Sequence, residues 1–297
     1  TITITGTNDG PTITTAIDDQ SDNEGNISLN GKLEFADIDD TDTITITSAL
    51  TSASVWSTDG PIPTLNKEKI EAGFSIGGTN VDAPGEAAWT YSVNDETYLD
   101  FLSSGETVTL TYTVTATDNN GGSVTDDVKF TITGTNDVPT IIAVTVSGAL
   151  TEDAAATQSV TGSFTFEDLD ASSIPDISVI SQSAIWYHGE NALGSIANEA
   201  DIKSYFTIDV LGNNTGTVTW TYTISSDNAN KFDFLSKDDT LTLTNTVKVD
   251  DDSGGPIPTQ NIVITITGTN DIPILTSSPT GNIIEDINVS TLHNLQS

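Results

Sequence analysis

The chain has 297 residues, of which 43 are acidic and only eight are basic, so its formal net charge at pH 7 is −35. A surface this acidic argues against nucleic acid and anionic membranes as partners, since both require basic groups. The absence of cysteine excludes a disulfide framework and a thiolate metal site. No apolar run reaches the roughly 18 residues of a membrane span, so we expect no membrane insertion.

In chain order, the predicted elements are mostly strands separated by turns. Residues 65–72 indicate a short helix, and residues 89–93 (WTYSV) indicate a strand. Residues 107–117 alternate threonine with apolar side chains, which is the pattern of a strand with one face on a core. Residues 118–122 (DNNGG) predict a hairpin turn into a final strand at 128–133.

The same order of elements then returns. The motif Gly-Thr-Asn-Asp-x-Pro occurs three times and ends at Pro11, Pro139 and Pro273, which is one domain length between copies. WTYTI at 220–224 repeats WTYSV, and residues 251–255 repeat the hairpin turn. The predicted fold is therefore all-β, with tandem antiparallel β-sandwich domains arranged end to end. The predicted divisions are 1–9 (last strand of a preceding repeat), 10–137 and 138–271 (two whole repeats) and 272–297 (start of a third repeat).

Segments 89–139 and 220–273 resemble the VCBS repeats of very large bacterial RTX-type surface adhesins. The resemblance rests on WTYSV, FLSSGETVTLTYTVTATD, the Gly-Gly turn and VKFTITGTNDVP. The second copy departs from it modestly, for example with Asn245 in place of Tyr112. The resemblance implies immunoglobulin- or cadherin-like domains in series, type I secretion to the bacterial cell surface, and Ca²⁺ near the domain junctions.

Each repeat boundary also gathers the oxygen ligands that Ca²⁺ prefers. An Asn-Asp pair ends one repeat, and about 30 residues later an Asp-x-Asp pair places two carboxylates on one side of an extended segment. A glutamate follows the junction proline by about 13 residues, and Asp118 and Asp251 in the hairpin turns are further candidates. The predicted metal ligands are Asn8, Asp9, Glu24, Asp37, Asp39, Asn136, Asp137, Glu152, Asp168, Asp170, Asn270, Asp271 and Glu285. The alternative is that Asn-Asp-x-Pro is only a turn and that the acids are solvated.

Nothing in the sequence predicts catalysis or an organic cofactor. His188 and His293 do not recur at equivalent positions, and the motifs of serine hydrolases, zinc proteases and phosphate-binding loops are absent. We therefore expect a non-catalytic extender segment of a secreted or surface adhesin, with calcium ions and neighbouring repeats of the same chain as partners, acting in cell attachment and biofilm formation. The alternative function is a module that itself binds carbohydrate or a cell-surface protein. Trp56 and Trp186, which lie near loop-like sequence, are the residues that would stack on a sugar, whereas Trp89 and Trp220 fit a core better.

Overall fold

The computed structural model of the protein describes residues 1–194 and 196–273. These residues form two β-sandwich domains, here called domain 1 (residues 10–137) and domain 2 (residues 138–271), and each has its own hydrophobic cluster. The predicted all-β class and the sandwich architecture are confirmed.

Domain 1 packs a four-stranded sheet, β1-β3-β7-β5, against a five-stranded sheet, β2-β9-β8-β4-β6. Most neighbours are antiparallel, but the chain crosses between the sheets after β1, and β2 then runs parallel to β9. The elements are β1 (Thr12–Thr15), β2 (Gln20–Asn23), β3 (Ile27–Ala36), β4 (Thr43–Trp56), α1 (Thr64–Glu71), β5 (Phe74–Ile76), β6 (Gly78–Asp82), β7 (Gly85–Val93), β8 (Thr107–Asp118) and β9 (Ser123–Thr133).

Domain 2 repeats this topology, with sheets β10-β12-β16-β15 and β11-β18-β17-β13-β14 and a parallel β11–β18 pair. Its elements are β10 (Thr140–Ala143), β11 (Ser147–Thr151), β12 (Gln158–Glu167), β13 (Asp176–His188), β14 (Asn191–Gly194), α2 (Glu199–Ser204), β15 (Phe206–Gly212), β16 (Thr215–Ile224), β17 (Asp239–Asp250) and β18 (Thr259–Thr267).

The core of each domain follows the predicted alternation along the strands. Every apolar side chain of β8 is buried and every threonine between them is partly exposed. Trp89 and Trp220 are 4% and 0% exposed, so both tryptophans are core residues. Full burial of a large apolar side chain contributes about 1.5 to 3 kcal/mol, so these buried faces are the main favourable contribution to the packing of the two sheets.

A buried tyrosine fixes each short helix. The Tyr91 hydroxyl donates to the Ile70 carbonyl at 3.0 Å, and the Tyr222 hydroxyl donates to the Ile202 carbonyl at 3.0 Å. Among the described residues, no helix is long and apolar enough to cross a membrane.

Residues 1–9 do not form the strand that the repeat predicts. The equivalent strand of domain 1, β9, is hydrogen-bonded between β8 and β2 of its own domain. Segment 1–9 has no such neighbours in the described part of the chain, and a β-strand needs a partner to satisfy its backbone groups. The predicted third repeat is described only as far as residue 273.

Candidate metal centre at the domain junction

The linker between the two domains is held at both ends by carboxylates. Its first part docks on domain 1, where Glu24, directly after β2, accepts the Thr135 N–H at 2.8 Å. Its last part docks on domain 2, where Asp170, in the loop after β12, accepts the Asp137 N–H at 3.1 Å. A glutamate of domain 1 and an aspartate of domain 2 therefore meet at the same six-residue linker, residues 134–139 between β9 and β10.

Three carboxylates at this junction each have an oxygen without a partner among the described residues. Glu24 Oε2, Asp137 Oδ2 and Asp170 Oδ1 are buried and accept no hydrogen bond from the described residues. Asp170 as a whole is only 1% exposed. A buried polar atom with no partner costs roughly 1 to 3 kcal/mol, and more when it is charged. The three oxygens come from domain 1, the linker and domain 2; among the described residues, only Asp37, Asp42 and Asp118 bring three carboxylates within 4.8 Å of one another.

The pKa values of these acids show that burial and mutual repulsion disfavour their ionised forms. Burial raises the pKa of Asp170 to about 7, and the negative charges of Asp168, Asp137 and Glu24 contribute to the rise. Burial also raises the pKa of Glu24 and of Asp137, with Asp100 adding to both through its charge. Because the groups repel one another, a bound cation would relieve the desolvation and the repulsion together.

A second group of polar side chains lies on the domain 2 side of the junction. Asp168 is 1% exposed, and it accepts the Asp170 N–H at 3.1 Å and the Ser173 hydroxyl at 2.7 Å. The linker residue Asn136 reaches the hairpin turn of the same domain, where its amide donates to Asp251 at 3.0 Å.

The N-terminal end of domain 1 has the same layout with more acids. Asn8 donates to Asp118 at 3.0 Å, as Asn136 does to Asp251, and the Asp9 N–H donates to Asp39 at 2.8 Å. One carboxylate oxygen from each of Asp37, Asp42 and Asp118 lies within 4.8 Å of the other two. The Asn120 amide donates to both oxygens of Asp42 at 2.9 Å. This end of domain 1 therefore offers three close carboxylates, whereas domain 2 has Ser173 in the position of Asp42.

The C-terminal end of domain 2 reproduces the domain 1 half of the junction. Glu152 accepts the Thr269 N–H at 2.6 Å, and its Oε2 is buried without a partner. Burial raises the pKa of Glu152 to about 7, with Asp271, Asp153 and Asp233 adding repulsion. The last three acids also line an open pocket of about 590 Å³.

The predicted ligands thus fall into three places, and whether they bind a metal stays a prediction. The structure brings Glu24, Asn136, Asp137, Asp168 and Asp170 together between the domains. Asn8, Asp9, Asp37 and Asp39 lie at the N-terminal end of domain 1, and Glu152, Asn270 and Asp271 lie at the C-terminal end of domain 2. Glu285 lies outside the described residues.

Several acids of these clusters were not predicted, among them Asp100, Asp233 and Asp42. Asp100 adds to the raised pKa of Glu24 and Asp137, and Asp233 does the same for Glu152. The recurring tripeptide Asp-Phe-Leu at 100–102 and 233–235 was the available signal. Asp42 had no such signal, because Ser173 replaces it in the second repeat.

Both tryptophans named for sugar stacking bind a carboxylate of their own domain; Trp56 is buried, whereas Trp186 is only partly buried. Trp56 is 8% exposed, and its indole N–H donates to Glu106 at 2.9 Å. Trp186 donates to Asp239 at 3.0 Å and packs edge-on against Phe234 with ring centroids 5.2 Å apart. A sugar platform requires an exposed ring face, so this geometry does not favour the carbohydrate-binding alternative.

Comparison with known proteins gives similar solved structures at low identity. No family model matches the chain, and no curated protein matches it. Mouse cadherin-23 EC22-24 is 16% identical over 88% of this chain and 67% of that one, with a TM-score of 0.36. Protocadherin gamma B2 extracellular cadherin domains 1-5 are 14% identical over 88% and 39%, with a TM-score of 0.39. Titin domains z1z2, solved in complex with telethonin, are 11% identical over 90% and 100%, with a TM-score of 0.31.

Proposed function

We propose that this chain is a non-catalytic extender segment of a large secreted or surface-attached bacterial adhesin. In this proposal Ca²⁺ at the domain junctions fixes successive domains relative to one another, so that a distal binding region is held away from the cell. The observation that carries the proposal is the set of three buried, unpartnered carboxylate oxygens of Glu24, Asp137 and Asp170.

The chemistry of the donor set fits calcium. All the groups that meet at the junction are hard oxygen donors, and Ca²⁺ takes six to eight of them in flexible geometry, whereas Mg²⁺ demands a near-ideal octahedron and keeps its waters. Glu24, Asp137 and Asp170 would hold an ion shared by both domains. Asp168, Asp251 and Asn136 would hold an ion on the domain 2 side. When bound, the ion supplies positive charge to a site where burial and mutual repulsion disfavour the ionised acids.

The mechanical effect follows from the position of the ligands on three separate pieces of chain. Without a cation, the ionised acids of the two domains repel each other across the linker. A shared ion would turn this repulsion into attraction and restrict the angle between the domains. An array of such repeats would become stiff in millimolar calcium and flexible without it.

The cellular location and the biological role are part of the same proposal. The threefold Gly-Thr-Asn-Asp-x-Pro motif and its resemblance to VCBS repeats support an extracellular, type I-secreted adhesin that acts in cell attachment and biofilm formation. The strong net negative charge suits a chain that works where free calcium is abundant.

Calorimetric titration of the chelator-stripped chain with CaCl₂ tests the proposal. We expect saturable binding, much weaker binding of MgCl₂, and fewer bound ions in Asp170→Asn. The matched control is Asp209→Asn, an exposed aspartate on β15, which should titrate like the unaltered chain. Absence of binding at millimolar calcium would overturn the proposal.

A further inference from the structure

A second contact between the domains involves none of the metal candidates. The loop after β12 of domain 2 packs on the loop before β8 of domain 1. There the Ala171 N–H donates to the Phe101 carbonyl at 3.1 Å. The Ser172 hydroxyl lies 2.6 Å from Glu106 Oε1 and 2.7 Å from the Ser103 hydroxyl. A hydroxyl of one domain therefore meets a carboxylate of the other.

The carboxylate is already fixed by its own domain. Glu106 Oε2 accepts the Trp56 indole N–H at 2.9 Å and the Ser103 N–H at 3.1 Å. Trp56 is itself buried edge-on against Phe101, with ring centroids 5.1 Å apart. With one oxygen held inside domain 1, Oε1 faces the junction, and little side-chain entropy is lost when Ser172 binds it.

Both halves of this contact recur in the other repeat. Asp239 occupies the position of Glu106 and likewise accepts an indole N–H, from Trp186 at 3.0 Å, and a backbone N–H, from Ser236 at 3.1 Å. On the other side, Thr41 stands four residues after Asp37, just as Ser172 stands four residues after Asp168. A hydroxyl at one end of each repeat and an indole-fixed carboxylate at the other end are thus common to both.

In domain 2, the Asp239 oxygen that does not accept the indole N–H has a different neighbour from Glu106 Oε1. Asp239 Oδ1 contacts His188 Nδ1 at 2.5 Å, and this histidine belongs to the same domain. His188 thus contacts Asp239 in domain 2 as Ser172 contacts Glu106 in domain 1. The side chain of His188 is 68% exposed, so it covers the carboxylate from the solvent side.

We propose that Glu106 and Ser172 form a metal-independent lock between successive repeats. Each repeat presents an indole-fixed carboxylate at its C-terminal end, and this carboxylate binds the hydroxyl that follows the Asp-x-Asp pair of the next repeat. In domain 2 His188 covers the carboxylate, so a following repeat of the same type has to displace the imidazole to form the lock. The partner is thus a Ser- or Thr-bearing Asp-x-Asp loop.

Double electron–electron resonance on the whole chain in chelator tests the lock. Because the chain has no cysteine, Ser28→Cys in domain 1 and Ser159→Cys in domain 2, both at exposed strand positions, give a single labelled pair. We expect Ser172→Ala to lower the ratio of docked to undocked molecules about fivefold, which is the ordinary value of one hydrogen bond. Ser172→Thr, which keeps a hydroxyl, should restore the narrow distance distribution.

The matched control is Thr41→Ala, which removes the equivalent hydroxyl where no preceding domain is described. The lock is overturned if Ser172→Ala and Thr41→Ala give the same distribution in chelator, or if the unaltered chain shows no docked population there. A calcium titration of the same labelled chains separates the two proposals. Narrowing of the distance distribution by calcium in every variant, with no effect of Ser172→Ala in chelator, would support the metal proposal and overturn the lock. An effect of Ser172→Ala in chelator with no effect of calcium would do the reverse.

Discussion

At the scale of one residue, Asp170 carries the observations behind the calcium proposal. Its carboxylate is 1% exposed, accepts the Asp137 N–H through one oxygen and has no partner for the other. A structural ion pair would lower the pKa of such a group, but the pKa of Asp170 is instead raised to about 7. The described neighbours therefore supply burial and negative charge without a compensating positive group.

Asp170→Asn should have opposite effects on stability with and without calcium. In chelator, the variant should melt at or above the temperature of the unaltered chain, because it removes a buried charge that faces other acids. Saturating ligand at about 100 times its Kd stabilises a protein by about 2.7 kcal/mol, and the variant should lose most of this gain. Thermal unfolding in both media measures the effect, with Asp209→Asn as the control. An equal calcium gain in both variants would show that Asp170 is not a ligand.

A second residue-scale feature lies in the domain 2 core. Asn245 is 2% exposed and replaces Tyr112, and its Nδ2 has no partner. Its Oδ1 accepts the Gln182 amide at 2.7 Å, and Gln182 also donates to the Lys203 carbonyl at 3.0 Å. The Gln182 amide thus binds a carbonyl of α2, as the Tyr112 hydroxyl binds the Glu71 carbonyl of α1.

Restoring the domain 1 pair in domain 2 should stabilise that domain. Gln182→Leu with Asn245→Tyr recreates the Leu50–Tyr112 register pair and removes the unpartnered amide. We expect the free energy of unfolding of domain 2 to rise by about 1 to 3 kcal/mol, the cost of a buried unsatisfied group. Chemical denaturation followed by tryptophan fluorescence measures it. A fall in stability of the same size would mean that the polar pair is better satisfied than its contacts indicate.

At the scale of elements, a glycine lies opposite a tryptophan in one sheet of each domain. Gly31 on β3 pairs with Trp89 on β7, and Gly162 on β12 pairs with Trp220 on β16. A Cβ at Gly31 would lie 2.7 Å from the Trp89 ring, and one at Gly162 would lie 2.5 Å from the Trp220 ring. The indole lies across the neighbouring strand where only glycine leaves room.

Gly162→Ala should therefore destabilise domain 2 by about 1 to 3 kcal/mol, the usual cost of overpacking a core. The control is Gly77→Ala in domain 1, where an added Cβ would meet nothing within 4 Å. Denaturant unfolding of both variants measures the difference. Equal stabilities would show that the indole has room to move away from β12.

The elements also show what the sequence could predict. Strand β8 and helix α1 follow from local patterns, because alternation and short-range spacing are properties of one segment. Asn136, Asp137 and Asp168 could be predicted as metal ligands because their motifs recur one domain length apart. Asp42 and the Ser172–Glu106 contact could not be predicted, because acids and hydroxyls are abundant here and only the packing of the two domains selects one pair.

At the scale of the whole molecule, the acid clusters make metal-free stability depend on pH. Asp170 and Glu152 have pKa values raised to about 7 from the ordinary 3.8 and 4.5. A carboxyl with a raised pKa makes the folded state bind more protons than the unfolded chain, so stability falls as pH rises. The loss should occur between about pH 4 and pH 7.

Melting temperatures in chelator should accordingly fall from pH 5 to pH 8, and saturating calcium should suppress most of the fall. The double variant Asp170→Asn, Glu152→Gln should flatten the dependence in chelator. Asp209→Asn with Glu190→Gln, which removes the same charge from exposed positions, should leave it unchanged. If both double variants flatten the curve equally, general charge repulsion and not the junction clusters sets the dependence.

We expect calcium at the junction to fix the angle between the domains. Small-angle X-ray scattering of the whole chain in chelator and in millimolar calcium tests it most directly, at a constant ionic strength of about 0.15 M so that screening is equal. We expect calcium to give a narrower, more extended distribution of interatomic distances in the unaltered chain and in Asp209→Asn, but not in Asp170→Asn. Superimposable scattering curves with and without calcium, together with an unchanged melting temperature, would contradict it.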